Sequence, residues 1–114
     1  MAAFARDIQL HSPAIIGPEY RGAELVASIV TAAMHVLEGV RVTYIVHADD
    51  AATSGIIFAA RVRELPCQGF VLLRTSGEYI KELTLLLRPL VALSSFVSAM
   101  AELDAQPALD AGDG

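Results

Sequence analysis

The chain of 114 residues has the length of about one domain, with 54% hydrophobic and 18% charged residues. Its mean hydropathy of +0.52 excludes disorder, and so small a monomer leaves apolar surface for a partner subunit or an internal cavity. A net charge of −5 argues against a nucleic-acid backbone as ligand. The longest apolar stretch, Leu83 to Ala101, is cut by Arg88-Pro89 and by serines, so no membrane span is expected. The one cysteine, Cys67, allows no internal disulfide. It fits a reducing compartment, and Met1 to Asp7 carry no signal-peptide pattern, so a cytoplasmic location is expected.

Ile8 and Leu10 alternate with Gln9 and His11, which predicts a short strand over residues 6–11. Ser12-Pro13 and Gly17-Pro18 then mark a loop. From Ala23 to Glu38 the period becomes helical: Glu24, Ser28, Thr31, His35 and Glu38 form a polar stripe opposite Leu25, Val26, Ile29, Val30, Ala33, Val36 and Leu37. Gly39 follows as a stop.

Four strands are expected next, over Val40–Ala48, Gly55–Glu64, Gly69–Arg74 and Tyr79–Leu87, with Leu65 to Gln68 as a connection. Short turns between them imply an antiparallel meander. In the first, Val40, Val42, Tyr44 and Val46 share a face. The last two are apolar on both faces, so each needs cover twice: helices or a cavity on one side, a second subunit on the other. Pro89 opens a final helix with Leu90, Leu93, Val97 and Met100 on its buried stripe. One domain over residues 1–104 is expected, and residues 105–114 read as an acidic, small-residue tail.

Gly77-Glu78-Tyr79-Ile80-Lys81-Glu82-Leu83-Thr84-Leu85-Leu86-Leu87-Arg88-Pro89-Leu90 resembles the closing strand of SnoaL-like proteins in the nuclear transport factor 2 superfamily. Ile8 to Pro13 resembles that family's first strand, and Tyr20-Arg21-Gly22 its helix start. The resemblance spans roughly residues 5 to 101. It implies an α+β, NTF2-like cone: a curved, mostly antiparallel sheet packed on helices, with a ligand pocket in its mouth and dimerisation as the usual state. Set against that family, two N-terminal helices are expected to be largely missing here, with Met1 to Ala5 ahead of the first strand. In catalytic relatives, carboxylates face the pocket from positions that match Val71 and Leu85, so the acids of their chemistry have no counterpart there.

The expected pocket wall is Val71 with Leu73, and Leu83 with Leu85 and Leu87, on one inward face. His11 matches a position where relatives place a polar pocket residue; it is the candidate base, against a structural strand-end histidine. Gln9 shares its face as a candidate ligand contact, and Tyr44 is the candidate proton donor, against packing. His35 belongs to the solvated stripe. His47 stands beside Asp49 and Asp50, but no metal-ligand spacing accompanies it, so no metal or cofactor is expected. Arg88 is expected to pair with an acid such as Glu82, and Arg61 and Arg63 to share one strand face, either solvent-exposed or in cross-strand ion pairs with Glu82.

The leading expectation is a homodimer that binds a small apolar molecule, with catalysis left open. The alternatives are an isomerase, hydratase or epoxide-hydrolase-like enzyme working through His11 and Tyr44, or a purely structural dimeric module.

Overall fold

The structure, a computed structural model, describes residues 3–12 and 20–113, with residues 104–113 described by backbone alone. In chain order it runs β1 (Ala3–His11), β2 (Tyr20–Arg21), α1 (Ala23–Val36), β3 (Glu38–His47), β4 (Thr53–Val62), β5 (Leu65–Ser76), β6 (Tyr79–Arg88) and α2 (Leu90–Asp113). The strands form one six-stranded sheet in the order β2-β1-β6-β5-β4-β3. β3 to β6 are the expected antiparallel meander. β1 returns beside β6 in parallel, with Leu10 opposite Leu83 and His11 opposite Thr84. This is an α+β fold with both helices on one face of a mixed sheet. The loop read at Pro13 and Gly17-Pro18 lies outside the described residues.

α1 begins at Gly22, whose φ of 105° is open to glycine and costly for other residues. The Gly22 N–H donates to the Ile8 carbonyl at 2.9 Å, tying the helix start to β1. Val26 is fully buried and Ile29, Val30 and Ala33 pack inward with it, but Leu25, expected on the same face, is exposed at the edge of the stripe. The helix stops two residues before its expected end, because Leu37 turns extended and enters the core.

Residues 65–68, expected as a connection, belong to β5. The turn is tighter: Val62 pairs with Leu65 across Arg63-Glu64, both at positive φ (48° and 72°), the signature of a two-residue type I′ hairpin. No Asn-Gly marks it, so composition conceals it. Pro66 is tolerated because β6 pairs with β5 only from Gln68 onward, leaving Pro66 a neighbour on one side alone. Arg63 therefore sits in a turn, where its guanidinium pairs with Glu102 of α2. α2 continues through the residues read as a tail, as far as Asp113. The β3–β4 turn is held by Asp50, whose carboxylate accepts from the Ala52 and Thr53 N–H groups and the Thr53 hydroxyl. These bonds, the one from Ala52 first, hold its carboxyl below the ordinary range.

The core falls into two clusters. One joins Leu37, Phe58, Val62 and Cys67 to Ala92 and Phe96 of α2. The other joins Ile8, Leu10 and Leu83 to Val26 of α1. Val71 packs against both. Where the clusters part, the sheet and the helices leave a gap.

Candidate functional site

That gap is a cavity of about 340 Å³. Its floor is the inner face of β4, β5 and β6, including Ile56, Phe58, Val71, Leu73, Leu83 and Leu85. α1 contributes Ile29, Ala33 and Met34, and α2 contributes Phe96 and Met100. Strand alternation explains why the floor is apolar throughout: each of these strands turns its polar or mixed face outward. Among the described residues, no Asp, Glu, His, Lys, Arg, Tyr or Cys lines the cavity; Ser12 and Thr84 are the only polar residues in its lining. Among the described residues the rim is apolar too, since Met34, Val40 and Val42 line the cavity while remaining 56%, 38% and 51% exposed.

Four of the five expected wall residues meet here: Val71, Leu73, Leu83 and Leu85. Leu87 does not; it packs against the cluster around Phe96 instead.

The three polar candidates do not line the cavity either. Leu10 points inward, so its neighbours Gln9 and His11 point to the outer face of the sheet. There His11 Nε2 lies 2.6 Å from Glu82 Oε2, and the same carboxylate accepts from Arg74 Nη1 at 3.3 Å. His11 therefore lies in a polar network with Glu82 and Arg74 on the outer face, away from the cavity lining.

Tyr44 is turned away by a β-bulge. Val42 pairs with Phe58, but Tyr44 pairs with Ile57, so Thr43 is the extra residue. Val40 and Val42 keep the inner face, whereas Tyr44 and Val46 move to the outer face, 68% and 52% exposed. The sequence gives no sign of this bulge beyond Thr43, whose hydroxyl donates to the Ile57 carbonyl at 3.0 Å.

The remaining candidates have ordinary partners. His47 Nδ1 is 2.9 Å from Ser54 Oγ, its cross-strand neighbour. Arg88 donates to Gln68 Oε1 at 3.3 Å and not to Glu82. Cys67 is buried in the core, and desolvation pushes its thiol up, away from nucleophilic use. Among the described residues, no group of three or more His, Cys, Asp or Glu is placed to hold a metal. No helix there is long and apolar enough to cross a membrane.

No protein-family model matches the sequence, and no curated protein matches it. Solved structures do match. A steroid delta-isomerase from Pseudomonas aeruginosa is similar with a TM-score of 0.89 at 22% identity, over 93% of this chain and 77% of that one. A Silicibacter pomeroyi protein with a cystatin-like fold is similar with a TM-score of 0.80 at 21% identity, over 87% and 69%. A Catenulispora acidiphila protein with a ketosteroid isomerase-like fold, in complex with trimethylamine, is similar with a TM-score of 0.58 at 22% identity, over 78% and 72%. The chain has the α+β fold of these proteins, the nuclear transport factor 2-like fold.

Proposed function

We propose that the protein is a binding module that takes a small apolar molecule into the cavity between the sheet and the two helices. The observation that carries this reading is a wall with an entirely aliphatic and aromatic floor and no titratable side chain among the described residues. General acid–base catalysis needs a proton donor or acceptor within about 3 Å, or one water, of the reacting atom. Val71 and Leu85 occupy the positions where catalytic relatives are expected to hold acids, and both are inert. Removing an apolar ligand from water into such a space is favourable by roughly 25 cal/mol per Å² of surface buried.

The working unit in this reading is a homodimer formed through the outer face of the sheet. Tyr44, Val46 and Leu86 lie there more than half exposed, beside Ile57 and Phe70. Single exposed apolar residues are ordinary, but a cluster of this kind marks an interaction surface.

Titration with 1-aminonaphthalene, an uncharged fluorophore, tests the binding reading. Saturable, blue-shifted emission at one molecule per subunit is expected, and Ala33→Phe, which fills the cavity from α1, should abolish it. Non-saturable emission, or emission unchanged in a folded Ala33→Phe variant, would contradict binding in this cavity.

A further inference from the structure

We infer that the cavity selects on charge and size, taking an uncharged molecule of about a dozen non-hydrogen atoms and rejecting a carboxylate of the same length. The inference rests on the binding reading above and adds the class of ligand. A dry cavity of about 150 Å³ accommodates benzene, with six carbons. By proportion, the 340 Å³ found here suits about a dozen non-hydrogen atoms, well short of the roughly twenty of a four-ring steroid.

Charge selection follows from the wall and from the rim. No described lining residue is a cation or any other charged group, so an ionised head inside would be buried without a partner. At the rim, the described lining residues Met34, Val40 and Val42 are apolar, so a carboxylate held there meets no described cation either. The nearest arginine and glutamate of the ion-pair network, Arg74 and Glu82, are spent on each other and on His11 at the outer face. A neutral hydroxyl or carbonyl is a different matter. An uncharged polar atom costs far less to desolvate than an ionised head, so it needs no counter-charge in the wall.

The test uses methionine methyl groups as reporters, because Met34 and Met100 line the cavity from two different helices. Methyl-labelled protein is titrated with 1-decanol, decanoate and androstenedione. Saturable shifts of both methyls with 1-decanol are expected, with decanoate about tenfold weaker or worse and androstenedione without a saturable shift. Val42→Arg, which puts a cation at the exposed rim, should raise the affinity for decanoate relative to that for 1-decanol about tenfold. Decanoate binding as tightly as 1-decanol, or androstenedione binding as tightly, would overturn the selectivity and leave the binding reading standing. Methyls unmoved by all three compounds would overturn the binding reading itself, and the selectivity with it.

Discussion

His11 and Glu82 meet at 2.6 Å on the face of the sheet that points away from the cavity, across the parallel β1–β6 pair. The pairing is decided by register: Gln9 lies opposite Glu82 and His11 opposite Thr84, so the His11 ring reaches diagonally to the glutamate. With side chains 36% and 27% exposed, the pair is a surface interaction. His11→Ala should therefore cost less than about 1 kcal/mol and leave uptake of 1-aminonaphthalene unchanged. Loss of ligand uptake in a folded His11→Ala variant would return the histidine to the site.

The cavity makes a graded prediction about truncation. Phe96 is 1% exposed within a packed cluster, so Phe96→Ala should cost the full ~3–5 kcal/mol of a core aromatic. Leu85 faces open space on one side, and Leu85→Ala should fall below the ~2–5 kcal/mol usual for a buried leucine. Urea unfolding of both variants compares them. Equal losses would mean that the Leu85 side chain is fully packed.

The helix, the meander and the apolar wall of Val71, Leu73, Leu83 and Leu85 were legible because each follows from a period of 3.6 or 2 in the residues. The orientation of His11 and Gln9 was legible as well: Ile8 and Leu10 are the apolar members of β1, and alternation alone sends His11 outward. Resemblance to a polar pocket position pointed the other way, and the local pattern prevails. Tyr44 was not legible, because the extra residue Thr43 shifts the alternation and no glycine or proline marks the bulge. The Arg63-Glu64 turn was concealed for the same reason, a positive-φ hairpin built from residues that rarely adopt it.

The outer apolar cluster predicts the oligomeric state. Sedimentation should find a stable dimer at micromolar concentration, with an interface of about 2,000 Å² in total. Leu86→Arg, at a position 53% exposed in the single chain, should yield folded monomers. A wild-type protein that sediments as a monomer would remove the dimer from the proposed function.

One close approach inside the sheet is set by a glycine. A Cβ at Gly69 would stand 2.1 Å from the ring of Phe58, its cross-strand partner on the inner face. Gly69→Ala should destabilise by about 1–3 kcal/mol through overpacking, and Phe58→Leu in the same chain should recover part of that loss. Additive losses in the double variant would show that the two positions do not press on each other.

Xenon-pressurised crystals test the dry, ligand-accepting cavity most directly, because xenon enters apolar cavities that water leaves empty. Anomalous density should appear between Ile56 and Val71 of the sheet and Phe96 of α2, with no ordered water in its place before pressurisation. A chain of ordered waters there, or side chains closed over the gap with no xenon bound, would contradict an apolar binding site.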